Sequence, residues 1–340
     1  MSNNALRPSL ADVAAKASVS VGTVSHVLNG NPKARIAQAT QERIRRAADE
    51  LGYRPNRFAR SLAGKHVRSI GLMIPTLNNP FFISVAVVAQ RRILDLGYEM
   101  VLDPIFAQEW AVIDHRRLGY WPVDGILMWT FTSQPTNEIF GAQASRMPIV
   151  YLGLMNDAYC SGVQVDFYTG MTRVLNHLIQ RGRRNLAFVV PETVANKPSS
   201  DRRREAYFDA VKSLGGEIQI LRYADDHEMA NGRRIGLEVG ALSARVRPDA
   251  LVCYNDNVAI GVYHGLRAAG LSVPGDISLT GFDGIEEGQC LDNPLTTAMV
   301  PADLVCGAGI EMLIERIENP MLEQHTQIAI PTRLIVGATT

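Results

Sequence analysis

The first fifty residues carry apolar positions at helical spacing, interrupted by polar turn signals. Ser9 and Asp12 form a Ser-x-x-Asp helix start, in which the hydroxyl accepts from a free backbone N–H and the acid lies at the positive end of the helix dipole. The pattern predicts a helix from Leu10 to about Ala17 and, after a three-residue turn, a second helix from Val21 to Leu28. Ser20 is expected to cap the second helix, which Asn29-Gly30 ends.

A third helix is predicted over residues 38–51, because one apolar stripe recurs there at i, i+3, i+4 and i+7. The stripe consists of Ile44, Ala47, Ala48 and Leu51. Val19, Val24 and Leu28 are available to pin the first two helices together. Two short helices joined by a tight turn indicate a helix-turn-helix, with an ordinary helical hairpin as the alternative.

From Ser69 onward, short apolar runs alternate with amphipathic helical stretches. Such alternation predicts parallel sheets, and two successive sets predict two doubly wound α/β subdomains with a cleft at the carboxyl ends of their strands. We expect one subdomain at residues 67–166 and 298–325, and the other at 167–297 and 326–340. The runs lie at residues 70–74, 125–129, 186–190, 251–254 and 277–281.

The net charge of zero conceals an asymmetry along the chain. Residues 1–66 contain 11 basic and four acidic side chains, a net +7, whereas the remainder carries −7. A basic head on an acidic body is typical of a phosphate-binding module joined to a different kind of domain; a basic solvated surface is the alternative.

Other composition signals narrow the class of protein. The N-terminus lacks the apolar core of an export signal, and no apolar run approaches the roughly 18 residues of a membrane span, so we expect a cytoplasmic protein without a membrane partner. The four cysteines show no C-x-x-C spacing and are expected to be reduced. No metal-ligand spacing and no cofactor fingerprint are present, so neither a metal nor a cofactor is expected.

The strings LADVAAKASVSVGTVSHVLNGNP and ADELGYRPNRFARSLAGK strongly resemble the head and hinge of the LacI/GalR family of bacterial regulators. The resemblance implies a helix-turn-helix domain at residues 1–54 and a hinge helix with linker at 55–66. It places Val21, Gly22 and His26 at base-reading positions. The remaining implied DNA contacts are Ser20, Thr23, Ser25 and Asn29 in the head, and Asn56, Ala59 and Leu62 in the hinge.

The head departs from the family pattern at position 26, which bears on DNA recognition, and at position 37, which bears on helix stability. His26 stands where many relatives carry an arginine that pairs with guanine, and Val21 and Gly22 offer little hydrogen-bond readout. Hence part of the specificity is expected from the hinge, where the resemblance implies that Leu62 wedges into a minor-groove step. Ala37 replaces a frequent capping serine, which would weaken the start of the third helix by about 1 kcal/mol.

The body, residues 67–340, resembles the periplasmic sugar-binding-protein fold that the same family carries. The phrases that carry the resemblance include RREAYFDA, NDNVA and VPGDIS. It implies an effector site in the cleft, with a place in the subdomain core as the alternative for Phe82. The implied effector residues are Phe82, Asp166, Arg203, His227, Asn255 and Asp283, a set whose carboxylates, guanidinium, amide and flat rings suit a sugar or polyol.

The expected function is therefore that of an effector-controlled transcriptional repressor without catalytic residues. The chain ends soon after its last apolar run, residues 334–336, with no heptad tail of the kind that makes the lac repressor a tetramer, so we expect a homodimer on a pseudo-palindromic operator. A solute-binding protein and a sugar-processing enzyme are the alternatives. The head argues against the first, and the lack of catalytic motifs against the second.

Overall fold

The computed structural model describes residues 8–28, 35–53, 66–104, 121–130, 147–153, 160–196, 201–224, 226–322 and 324–340. The chain divides into two compact units, residues 1–67 and 68–340. This division falls one residue from the boundary expected between the hinge and the body.

The first unit contains the three expected helices, α1 (Leu10–Ala17), α2 (Val21–Leu28) and α3 (Gln38–Leu51). Ser9 and Asp12 form the predicted reciprocal cap of α1. The turn to α2 passes through Ser18 in the left-handed region, with φ 53°. Ala37 gives α3 no side-chain cap, which agrees with the departure noted in the sequence.

One apolar cluster holds the three helices of this head together. Ile44, Ala47 and Ala48 are buried in it as the stripe predicted, whereas Leu51 lies at its edge. Val24 is buried, but Val19 and Leu28 are only partly buried. Val27, which the sequence analysis did not name, is also buried in this cluster. The helix-turn-helix fold therefore rests on small side chains that allow close helix packing.

The second unit alternates strands and helices. In chain order its elements are β1 (Ser69–Ile74), α4 (Pro80–Asp95), β2 (Glu99–Pro104), β3 (Gly125–Thr130), β4 (Ile149–Gly153), β5 (Ser161–Asp166), α5 (Phe167–Gln180), β6 (Leu186–Pro191), α6 (Glu192–Asn196), α7 (Arg202–Ser213), β7 (Gln219–Tyr223), α8 (Glu228–Gly240), β8 (Ala250–Cys253), α9 (Asp256–Ala268), β9 (Ser278–Asp283), α10 (Glu286–Gln289), β10 (Thr296–Met299), α11 (Ala302–Glu318), β11 (Gln327–Pro331) and β12 (Arg333–Ile335).

These strands form two six-stranded sheets, which confirms the expected pair of doubly wound halves. The first sheet has the order β11-β5-β4-β3-β1-β2 and is parallel throughout; the second has the order β12-β10-β9-β8-β6-β7, in which only β12 is antiparallel. Every residue of β1, β4, β6, β8 and β9 is buried. Burial on both faces explains why central strands appear in the sequence as continuous apolar runs.

One part of the predicted subdomain division is wrong. Residues 326–340 were assigned to the second half, but β11 pairs with β5 in the first sheet, with Pro331 opposite Asp166. Likewise, β10 keeps the chain in the second sheet to Met299, two residues beyond the expected crossing. The reason is that β11 is an edge strand with mostly exposed side chains, so it lacks the apolar run by which central strands are recognised.

Within the described residues, the fold leaves three cysteines buried and Cys290 exposed, all as free thiols. No helix in this part of the chain has the length and apolar character needed to cross a bilayer.

Candidate functional site

Helix α2 turns one face toward the head's core and the other to solvent. Val24 and Val27 are buried, whereas Val21 is 46% exposed, and Gly22 and His26 are exposed beside it. A helix with a packed back and an exposed front is the geometry that a recognition helix needs to enter the major groove.

The start of α2 carries two hydroxyl groups. The Ser20 hydroxyl oxygen accepts from the Thr23 backbone N–H at 3.1 Å and shares a 2.9 Å hydrogen bond with the Thr23 hydroxyl. The N-terminus of a helix favours anions because its free N–H groups and dipole are positive. Ser20 is exposed and Thr23 and Ser25 are half-buried, so this end of the helix suits contact with phosphate.

In the body, Arg203 lies at the start of α7 and is 2% exposed. Its Nε donates to Asp201 Oδ1 at 3.1 Å and its Nη2 donates to Oδ2 at 2.8 Å. Its Nη1 donates to the Tyr254 carbonyl at 3.2 Å, and the guanidinium carbon lies 3.6 Å from the centre of the Tyr254 ring. Burial acts to raise the pKa of Asp201, but the Arg203 charge and its hydrogen bonds lower it overall. The two residues therefore form a buried ion pair.

Asp283 ends β9 with an unusual backbone conformation. Its φ of 115° lies in a region where the backbone of any residue other than glycine is strained. The Asp283 residue is 8% exposed. Burial first, and then the charge of Asp256, raise the pKa of Asp283 well above its ordinary value. Within the described residues, no group donates a hydrogen bond to the Asp283 carboxylate. A strained, buried acceptor of this kind is typical of a ligand site.

Asp256 holds the turn that presents Asp283. Its carboxylate accepts from the Thr297 hydroxyl at 2.6 Å and from the backbone N–H groups of Gly284 and Ile285 at 2.7 and 2.9 Å. Burial raises the pKa of Asp256 to about 7, against the opposing effect of these hydrogen bonds. Asp256 therefore fixes the backbone on the C-terminal side of Asp283.

Asn255 caps α9, since its Oδ1 accepts from Val258 N–H at 2.9 Å. Its Nδ2 donates to Glu228 Oε1 at 2.6 Å, so both ends of this amide already have partners. Helices α8 and α9 hold the pair in register through close packing, because a Cβ at Gly232 or Gly261 would collide with the backbone oxygens of Val258 or Met229.

Comparisons with known proteins give matches in both units of the chain. Residues 9–56 match the model described as Bacterial regulatory proteins, lacI family, and residues 175–340 match Periplasmic binding protein-like domain. The ribose operon repressor of Escherichia coli (strain K12) is 32% identical over 321 residues, covering 92% of this chain and 94% of that protein. The chain belongs to the LacI family of bacterial regulatory proteins.

One further relative agrees with LacI-family membership, and one solved structure shares the fold. The HTH-type transcriptional repressor PurR of Aliivibrio fischeri (strain ATCC 700601 / ES114) is 31% identical over 91% of this chain and 91% of its own length. A crystal structure of the lac repressor dimer bound to operator and the anti-inducer ONPF superposes with a TM-score of 0.81 at 22% identity, covering 98% of this chain and 99% of that one. The latter shows the shared fold.

The structure separates the sequence-predicted residues of this LacI-family body into three groups. Arg203, Asn255 and Asp283 lie near one another: Asp283 ends β9, Asn255 follows β8, and Arg203 at the start of α7 donates to the carbonyl of Tyr254, the residue before Asn255. Phe82 is 4% exposed and packs edge-on against Phe81 and Trp129, which favours the core alternative. Asp166 caps α5 through Thr169 N–H at 3.0 Å, and the exposed His227 precedes α8 with φ 45°.

Sequence reasoning missed several polar residues around Arg203, Asn255 and Asp283. Asp201, Asp256 and Glu228 were not assigned, although Asp256 adjoins Asn255 and Asp201 precedes Arg203 by two positions. The signal for Asp256 was an Asn-Asp-Asn string directly after a buried strand. In the DNA-binding set, Asn29, Asn56, Ala59 and Leu62 lie outside the described residues.

Proposed function

We propose that this LacI-family chain is a sequence-specific DNA-binding repressor that acts as a homodimer. Its affinity for a pseudo-palindromic operator is set by a small molecule, a sugar or a related metabolite, bound in the cleft of the body. The observation that carries the proposal is the exposed face of α2, with Val21, Gly22 and His26 in front of a fully packed helical core.

The polar residues of the body support the choice of effector class. The Asp283 carboxylate can accept from two hydroxyls, and the neighbouring Arg203 and Asn255 can donate to oxygen. Phe167 and Phe282 lie 4.7 and 5.2 Å from the Arg203 guanidinium, which adds apolar ring surface near the same point. The ribose operon repressor, among the relatives, points to the same class of ligand.

An apolar stripe on α4 supports the homodimer. Ile83, Val87 and Leu94 recur on one side of the helix and are 47%, 50% and 53% exposed. Such a stripe on a water-exposed helix is typical of a protein interface.

The proposal includes a location and excludes catalysis. A repressor of this kind works in the cytoplasm, on the nucleoid when it is bound to DNA, and has no enzymatic activity.

DNA selection tests the first half of the proposal. The full-length protein should enrich one half-site motif from a randomised duplex pool, with affinity that falls steeply with salt. His26→Ala should relax the preference at one base position of each half-site. Ala15→Ser, on the exposed side of α1, is the matched control and should leave the motif unchanged. Failure to enrich any motif under all metabolite conditions would refute the proposal.

A thermal-shift screen of sugars, polyols, nucleosides and purines tests the second half. A compound at 100 times its dissociation constant should stabilise the body by about 2.7 kcal/mol. Asp283→Asn should abolish that shift, and Asp292→Asn, an exposed aspartate in the same half, should retain it. A full shift in Asp283→Asn would exclude the proposed site.

A further inference from the structure

Glu228, the first residue of α8, gathers three side-chain amides from two other helices. Its Oε1 accepts from Asn255 Nδ2 at 2.6 Å, and its Oε2 accepts from Asn257 Nδ2 at 3.0 Å and from Asn79 Nδ2 at 3.2 Å. Asn255 and Asn257 belong to the second half of the body, like Glu228 itself. Asn79 belongs to the first half, directly before α4, so one carboxylate joins the two halves.

The orientation of two of these amides follows from their other bonds. Asn79 Oδ1 accepts from Phe81 N–H at 3.0 Å, and Asn255 Oδ1 accepts from Val258 N–H at 2.9 Å. Because an amide carries its donor opposite its acceptor, each helix cap directs an NH₂ group toward Glu228. The caps of α4 and α9 therefore determine the direction of the bonds to Glu228.

The surroundings favour a negative charge at this point. Helices α4, α8 and α9 all begin here, and the positive ends of their dipoles stabilise a nearby carboxylate. The three asparagines are only 4–6% exposed, and hydrogen bonds to an ionised group in a water-poor setting are stronger than neutral ones. Burial first, and the Glu228 charge after it, raise the pKa of the Tyr223 phenol, and the same charge contributes to the raised pKa of Asp283 after burial and the charge of Asp256.

We propose that Glu228 is a clasp that holds the two halves of the body together. The chain crosses between the halves after Asp166, after Met299 and between β11 and β12; the clasp adds a noncovalent link where α4 begins. It goes beyond the proposed function and does not depend on DNA binding.

The test compares two asparagines that donate to the same oxygen. Asn79→Ser keeps a cap oxygen for α4 but lacks the NH₂ group that donates to Glu228 in the second half. Asn257→Ser removes the equivalent donor from within the second half and is the matched control. Hydrogen exchange of the full-length, ligand-free protein is read by mass spectrometry in peptides covering residues 78–88 and 227–237.

Asn79→Ser should lower protection about tenfold in both peptides, the change expected from losing one hydrogen bond to a charged group. Asn257→Ser should lower protection in the second peptide alone. The proposal is overturned if Asn79→Ser leaves the second peptide unchanged, or if Asn257→Ser affects the first peptide as strongly as Asn79→Ser does.

A second pair of variants covers the case in which a serine cap fails to support α4. Asn79→Asp and Asn257→Asp each retain an acceptor at a helix start and place a second carboxylate against Glu228. Small-angle scattering should show a larger radius of gyration for folded Asn79→Asp than for Asn257→Asp. Equal radii in both variants and in the unmodified protein would contradict a clasp.

Discussion

The side chains proposed to be functional lie in opposite environments in the head and in the body. In the head, Val21, Gly22 and His26 stand exposed on a helix that small apolar residues hold from behind. In the body, Arg203 and Asp283 are almost completely buried and depend on Asp201 and Asp256 for their placement. In the head, the residues proposed to read DNA are therefore distinct from those that stabilise the fold, whereas in the body the groups proposed to bind the effector also contribute to stability.

The largest effect should follow from breaking the buried ion pair of the body. Arg203→Leu leaves the Asp201 carboxylate buried without its partner, which costs about 3–5 kcal/mol of unfolding free energy. Denaturant unfolding monitored by tryptophan fluorescence checks this, since all three tryptophans belong to the body. The double variant Asp201→Leu/Arg203→Leu should recover part of the loss. A single variant as stable as the unmodified protein would show that the pair has no such role.

A core truncation in the head should act on DNA binding through stability alone. Ile44→Ala removes a fully buried side chain at the centre of the three helices, with an expected cost of about 2–5 kcal/mol. Operator binding should fall sharply while the thermal midpoint of the body stays unchanged. If Ile44→Ala retains full DNA affinity, the head is not held by this cluster.

The stability of the body should depend on pH through its buried aspartates. Burial raises the pKa of Asp256 to about 7 and that of Asp283 well above its ordinary value. The folded state therefore retains protons that the unfolded chain releases, and the unfolding free energy should fall as pH rises from about 4 toward 7. Asp256→Asn should flatten this slope, while the control Asp292→Asn should keep it. A slope that is the same in both variants would contradict the assignment to Asp256.

The smallest effect concerns the unsupported start of α3. Ala37→Ser should supply the missing cap and stabilise the head by about 1 kcal/mol, without changing which operator is selected. The thermal midpoint of the head, followed by circular dichroism, provides the measurement. Ala11→Ser, at an exposed position within α1, is the control and should bring no gain.

The same contrast explains what could be predicted from sequence. The head's helices, caps and core follow local rules, so Ser9, Asp12 and the Ile44 stripe were recognisable within a window of a few turns. The central strands of the body were recognisable as apolar runs. The exposed edge strand β11 lacks that signal, and its assignment to the second half was wrong.

The hydrogen-bond partners of the buried polar residues in the body could not be predicted from neighbouring sequence. Glu228 meets Asn79, which is 149 positions away, and Asp256 meets Thr297, which is 41 positions away. Nothing adjacent to Glu228 in sequence distinguishes it from a solvent-exposed acid in the first turn of a helix. Such partners become evident only when the strand ends of the two sheets have been placed.

The most direct test of the account is operator binding by the full-length protein, measured with and without the metabolite that stabilises the body. We expect this metabolite to change operator affinity in the unmodified protein at least fivefold, and we expect Asp283→Asn to bind the same operator without responding to the metabolite. A protein that selects no DNA sequence, or an Asp283→Asn variant that responds fully, would contradict it.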